Sequence, residues 1–70
     1  MSKLFSSEAI VAVLRKKGFV FVSQKGSHAK FRYRYGSSVH TVIVPMAKKE
    51  IPLGTFRSIL RQSGLSKNDF

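Results

Sequence analysis

The segment QKGSHAKFRYRY, residues 24–35, places a strictly alternating run directly after a Gly-Ser pair. From residue 28 onward its even positions are histidine, lysine and arginine, whereas its odd positions are alanine, phenylalanine and tyrosine. Alternation with a period of two is typical of a β-strand, in which successive side chains point to opposite faces of a sheet. The expected strand has an apolar face of Ala29, Phe31, Tyr33 and Tyr35 and a basic face of His28, Lys30, Arg32 and Arg34.

The segments on either side of this strand predict two further strands. FVFVSQ, residues 19–24, is rich in β-branched and aromatic residues and runs into the glycine of a tight turn. VHTVIVP, residues 39–45, follows the turn YGSS and ends at a proline, which cannot donate to a sheet ladder. Because the connections are short, we expect an antiparallel three-stranded meander.

A helix is expected before the three strands. Ser6 or Ser7 can cap its N-terminus, and Gly18 supplies the stop. Its apolar stripe consists of Ile10, Val13 and Leu14. The cations of residues 15–17 fall in its last turn, where the negative end of the helix dipole favours positive charge, so we interpret them as a solvated helix end.

A second helix is expected after the strands, within PLGTFRSILRQSG, residues 52–64. Proline is tolerated in the first turn of a helix, and glycine is favoured just past its end. The expected apolar stripe consists of Leu53, Phe56, Ile59 and Leu60. Ser66 and Asp69 have the spacing of a capping box, so the tail can add a brief helical turn with Phe70 against the core.

The expected order is α-β-β-β-α, in a single α+β domain over residues 1–70. Each helix has one apolar stripe and the three-stranded antiparallel sheet has one apolar face, so both helices should cover the same face of the sheet. The odd positions of the central strand, including Tyr33 and Tyr35, then belong to the core. The basic face with His28 stays open to solvent.

The charge of the chain indicates a polyanionic partner. Thirteen lysines and arginines face three acidic residues, which gives a formal net charge of +10. Such a domain attracts polyanions, and nucleic acid is the one we favour. An acidic protein or a membrane surface would satisfy the same charge, but residues 1–18 lack the uninterrupted apolar stretch of a signal peptide or membrane span. We expect a cytoplasmic protein without a membrane partner.

Three segments of the chain together resemble the HicA toxins of bacterial and archaeal toxin–antitoxin systems. They are KGSHAKF at 25–31, IVP at 43–45 and IPLGTFRSILRQSGLSKNDF at 51–70. The resemblance implies a double-stranded-RNA-binding-domain-like fold, endoribonuclease activity on mRNA, and neutralisation by a HicB-like antitoxin. The catalytic histidine of the family matches His28. Many members carry a second histidine two residues after the proline, where this chain has Ala47.

The chemistry of RNA cleavage can be supplied without a metal. It needs a base for the 2′-hydroxyl proton, an acid for the departing 5′ oxygen, and cations for the charge that builds on phosphorus. Imidazole exchanges protons near neutral pH, and the positive charge of Lys30 on the same strand face favours its neutral form, so we expect His28 to act as the base. The expected RNA-binding residues are Lys25, Gly26, Ser27, Lys30, Arg32, Arg34, Arg57 and Arg61.

The acidic residues and the second histidine are expected to have no part in this chemistry. Glu8, Glu50 and Asp69 are far apart in sequence, and the chain has no cysteine, so we expect neither a metal site nor another cofactor. His40 is interpreted as a solvated or hydrogen-bonded strand residue.

Two other functions remain open from the sequence. The first alternative is a small RNA-binding module that keeps the same scaffold without cleavage. The second is a domain that only docks an acidic protein, which explains the charge but assigns no role to the Gly-Ser-His turn. For the two arginines of the second helix, Arg57 and Arg61, three roles are equally open: a solvated face, contact with RNA and contact with an antitoxin protein.

Overall fold

The computed structural model describes residues 4–70 as an α-β-β-β-α chain that ends in a short 3₁₀ turn. Its elements are α1 (Ser7–Lys16), β1 (Val20–Lys25), β2 (His28–Tyr35), β3 (Ser38–Pro45), α2 (Leu53–Ser63) and the 3₁₀ turn (Lys67–Asp69). The strands form one antiparallel sheet in the order β1-β2-β3. The expected α+β fold is therefore confirmed.

The helix boundaries follow the predicted end signals. Ser6 is the N-cap of α1, and its hydroxyl oxygen accepts a hydrogen bond from the backbone N–H of Ala9 at 3.1 Å. At the other end of the chain, α2 begins after Pro52 and ends at Gly64, whose φ of 74° lies in the left-handed region. Glycine adopts this conformation without the strain that a side chain would bring.

The core lies between the two helices and one face of the sheet. The helices contribute Ile10, Leu14, Phe56 and Ile59 to it, and the sheet contributes Ala29, Phe31, Val42 and Val44. Both helices therefore cover the same sheet face, as predicted. The tail also joins the core as expected, because the Phe70 ring lies 5.2 Å from that of Phe56 between centroids.

Two expected core residues lie outside it. Tyr35 is 73% exposed and Leu53 is 42% exposed, so their assignment to the core was wrong. Burial along β2 falls from Phe31, which is buried, through Tyr33, which is half-buried, to Tyr35 at the strand end. The helices do not cover the end of β2, and Leu53, the first residue of α2, likewise lies at the margin of the packed layer.

Candidate active site and RNA-binding surface

His28 is the first residue of β2 and is exposed on the face of the sheet opposite the helices. It pairs with Lys25 of β1 on one side and with Pro45 of β3 on the other. The hairpin turn before it uses Gly26 at a φ of 59°, and the Gln24 side-chain amide donates to the Gly26 carbonyl at 3.0 Å. His28 is thus held by a tight turn and by a strand on each side.

The basic face predicted from the alternation of β2 is present. Lys30, Arg32 and Arg34 lie on the same sheet face as His28, at intervals of about 7 Å along the strand. Their cross-strand partners on β3 are Ile43, Thr41 and Val39, respectively. The open face therefore combines a row of cations with a neighbouring row that is mainly apolar, a combination suited to phosphates and bases together.

His28 also lines a groove of about 510 Å³ that is bordered by β3, which is an edge strand of the sheet, and by α2. Gln62 lines the groove from α2, and its side-chain oxygen accepts a hydrogen bond from the backbone N–H of Ile43 on β3 at 2.9 Å. Its volume lies in the range of about 300–1,000 Å³ that is usual for small-ligand sites. The other lining residues are Ile43, Pro45, Lys48, Pro52, Gly54, Thr55 and Ser58.

The structure brings most of the predicted RNA-binding residues to one surface. Lys25, at the end of β1, and the turn residues Gly26 and Ser27 lie beside His28, and the cations of β2 follow along the strand. Arg61 contacts one of the residues that line the groove, because its guanidinium donates to the Ser58 hydroxyl at 3.3 Å. Arg57 instead lines a separate depression on α2 that does not include His28.

Position 47, where many resembling proteins carry histidine, lies outside the groove. Ala47 lines a neighbouring depression together with Ser6, Ser7 and Glu8. Its φ of 61° is unusual for a residue with a side chain. Ala47 is therefore not among the residues that line the groove with His28.

The second histidine occupies a different environment. His40 pairs with Tyr33 and lies half-buried on the helix side of the sheet. Its ring packs against the backbone of Gly64, where an added Cβ would come within 3.1 Å of Cε1. It therefore contributes to packing at the end of α2 rather than to the surface that contains His28.

No metal centre or membrane segment is found in the part of the chain that the structure describes. Over residues 4–70, no group of three or more histidine, cysteine or acidic side chains could hold a metal ion. In the same residues, no helix has both the length and the apolar character that are needed to cross a membrane.

These features define a class of protein: a small basic α+β domain that carries an exposed histidine between a cationic sheet face and a groove. The family model described as HicA toxin of bacterial toxin–antitoxin systems matches residues 7–65. The chain belongs to the HicA toxin family, and the matched range includes His28, the groove and both helices. A comparison with curated proteins found no match. Membership supports a toxin role and, in general, a partnership with an antitoxin.

Proposed function

We propose that this toxin is an endoribonuclease that cleaves mRNA with His28 as its single catalytic histidine. The observation that carries the proposal is the position of His28, exposed at a strand end where the cationic face of β2 meets the groove beside α2. RNA phosphates attracted by the cations would pass across the imidazole. The proposed site of action is the cytoplasm, and the proposed inhibitor is a HicB-like antitoxin.

In the proposed reaction His28 takes the proton of a ribose 2′-hydroxyl. The 2′ oxygen forms a bond to the adjacent phosphorus as the bond from phosphorus to the 5′ oxygen breaks. The products are a 2′,3′-cyclic phosphate and a 5′-hydroxyl, whose oxygen takes a proton from water or from a lysine. Lys30 and Arg32 stabilise the negative charge that builds on the phosphoryl oxygens, and the scheme requires no metal.

The open face favours single-stranded or locally unpaired RNA as the substrate. An unpaired strand can place its phosphates along Lys30, Arg32 and Arg34 and its bases against Val39 and Ile43, which are both exposed. Unstacked bases expose apolar faces, and contact with Val39 and Ile43 would remove apolar surface of both partners from water. A regular duplex keeps its bases stacked and would leave the apolar row without a partner.

The alternative is a non-catalytic RNA-binding module. The cationic row and the exposed apolar residues of β3 are enough to bind RNA, and this function leaves the imidazole without a role. The alternative therefore predicts that replacing His28 changes neither RNA binding nor the integrity of RNA in cells.

The test compares wild type with His28→Ala by induced expression and by incubation of purified protein with RNA. His28→Ala should lower the cleavage rate by about 10²–10⁴-fold and abolish growth arrest, because general acid–base catalysis contributes factors of this size. Its thermal melting should be unchanged, since the exposed side chain adds little packing. Purified-protein assays are run with and without excess chelator, and cleavage should persist in both.

His40→Asn is the matched control, because it replaces the other histidine of the chain on the opposite sheet face. At a temperature where its circular dichroism shows a folded protein, His40→Asn should cleave at close to the wild-type rate. Wild-type cleavage by His28→Ala would refute the assignment of the catalyst. Activity that disappears in chelator and returns with magnesium would refute the metal-free scheme.

A further inference from the structure

We propose that Lys48 binds a substrate phosphate in the groove beside His28, and that buried Ser7 of α1 is the positioning residue that holds Lys48 there. The inference rests on the proposed endoribonuclease function and adds to it a phosphate-binding site on the loop side of the histidine. Lys48 lies outside both helices and all three strands, 20 positions after His28 in the chain.

Two adjacent lysines follow β3, and one of the two lines the groove. Lys48 lines the groove that contains His28 and also borders the neighbouring depression. Lys49 lines that depression, together with Ser6 and Glu8, and does not line the groove. Although the two residues carry the same charge, only Lys48 shares a surface with the proposed catalyst.

Ser7 connects the loop to α1 through three hydrogen bonds. Its hydroxyl donates to the Pro45 carbonyl at 2.6 Å and accepts from the backbone N–H of Lys48 at 3.0 Å. Its own backbone N–H donates to the Lys48 carbonyl at 3.0 Å. The residue is 1% exposed, and losing its hydroxyl would remove the partner of two part-buried backbone groups, the Pro45 carbonyl and the Lys48 N–H.

The same loop is attached to the turn that carries His28. The backbone N–H of Met46 donates to the Ser27 carbonyl at 2.6 Å, directly before the histidine. Ser7 and Ser27 therefore fix the loop from two sides, and this restraint also maintains the left-handed φ of Ala47. The backbones of His28 and Lys48 are consequently held in a fixed position relative to each other.

The chemistry of the groove suits a phosphate. The ammonium group of Lys48 offers a compact positive charge and three N–H donors. Thr55 and Ser58 contribute hydroxyl groups from α2 to the same lining. With Lys30 on the sheet, Lys48 gives the RNA a cation on each of the two surfaces that His28 joins. A phosphodiester held in this way would stay against the imidazole.

The first experiment compares Lys48→Ala with Lys49→Ala, which removes the same charge one residue away. Binding is measured with a 2′-methoxy RNA oligonucleotide, which cannot be cleaved, and kcat/KM is measured with unmodified RNA. Lys48→Ala should weaken binding and lower kcat/KM by about tenfold or more, the size expected for a charge-assisted hydrogen bond. Lys49→Ala should change both by less than about threefold, and Lys48→Arg should recover most of the binding.

The two readouts separate this inference from the proposed function. If wild type does not cleave RNA, the proposed function is wrong, whereas the binding comparison still tests Lys48. If the two alanine variants bind the oligonucleotide equally well, the phosphate site at Lys48 is refuted even when wild type cleaves.

The second experiment tests Ser7 by a double-mutant cycle. Ser7→Ala should weaken binding of the uncleavable RNA in the wild-type background and have little further effect in the Lys48→Ala background, because its role is to place that lysine. Ser6→Ala removes the N-cap hydrogen bond of α1 and should lower stability without this coupling. Equal effects of Ser7→Ala in both backgrounds, or no effect in either, would show that Ser7 does not position Lys48. All variants are compared where circular dichroism shows them folded.

Discussion

At the scale of single residues, His28 and His40 show how position determines what an imidazole can do. His28 begins β2 on the open face, whereas His40 lies under the end of α2 and packs against Gly64. A proton-transfer group must meet its substrate, so exposure at the junction of two surfaces is an advantage for His28. Packing is the role that remains for His40.

Asp69 is the residue whose ionisation is most clearly coupled to the fold. The backbone N–H of Ser66, 2.8 Å from its carboxylate, lowers the pKa of Asp69 below the ordinary 3.8, and Lys17 at 3.3 Å lowers it further. Lys17 is therefore not merely part of a solvated helix end, as the sequence indicated. The ion pair with Lys17 connects the C-terminal turn to the end of α1.

The lowered pKa predicts a pH dependence of stability. Since the folded state favours the ionised carboxylate, the contribution of Asp69 is fully present above the ordinary carboxyl range and is lost as pH falls through the lowered pKa. Asp69→Asn should therefore unfold at a lower temperature than wild type at pH 7, and the difference should shrink below about pH 4. Thermal melts of both proteins from pH 2 to 7 measure this. A constant difference over that range would contradict the prediction.

At the scale of the elements, the junction of α2 with the sheet depends on the glycine that ends the helix. Gly64 has a φ of 74°, and a Cβ added there would come within 3.1 Å of the His40 ring. A Cβ added at Gly54, in the first turn of the same helix, would meet open space. The two glycines therefore differ in backbone conformation and in the space that is available for a side chain.

Replacing each glycine by alanine should change stability in opposite directions. Gly64→Ala should lower the free energy of unfolding by about 1–2 kcal/mol, because a left-handed conformation is strained for a residue with a Cβ. Gly54→Ala should raise it by up to about 1 kcal/mol, because alanine is the better helix former. Urea denaturation measures both, and a change of the same sign in the two variants would show that backbone conformation does not control this helix.

At the scale of the whole molecule, the lysines and arginines that give the net charge of +10 lie both on the proposed RNA-binding face and away from it. Lys30, Arg32 and Arg34 lie on the proposed RNA-binding face, whereas Arg15 and Lys16 lie in the last turn of α1. Phosphate contacts release counterions from RNA, so they can be counted by the dependence of binding on salt.

The salt dependence should separate the two groups of cations. Lys30→Gln and Arg32→Gln should each make the slope of log K against log salt shallower by about 0.7, the value per phosphate contact for single strands. Lys16→Gln, with the same loss of charge on an exposed helix end, should change it much less. His28→Ala should change the slope less than Lys30→Gln or Arg32→Gln does, because it removes none of the lysines and arginines of the face. Binding of 2′-methoxy RNA from low to high salt provides the measurement, and equal slopes for Lys16→Gln and Lys30→Gln would place the RNA elsewhere.

The local features of this fold could be predicted because each depends on neighbours in the chain. The alternation of residues 28–35 predicts β2 and its two faces, Ser6 was one of two predicted caps for α1, and Gly64 marks the end of α2. The family resemblance singled out His28 on the same grounds of local pattern. Tyr35 was misplaced because alternation indicates a face and contains no information on how far the helices extend over it.

The groove beside His28 could not be predicted from the sequence, because tertiary structure brings its lining residues together. Lys48, Thr55, Ser58 and Gln62 were not predicted as site residues, since no local signal connects them with a histidine 20 or more positions earlier. These residues come close to His28 because Ser7 is hydrogen-bonded to Lys48, 41 positions away, and Gln62 is hydrogen-bonded to Ile43 of the edge strand β3. Short-range patterns determine the strands, helices and faces of this protein, whereas the site requires hydrogen bonds between distant residues that form only when the helices pack on the sheet.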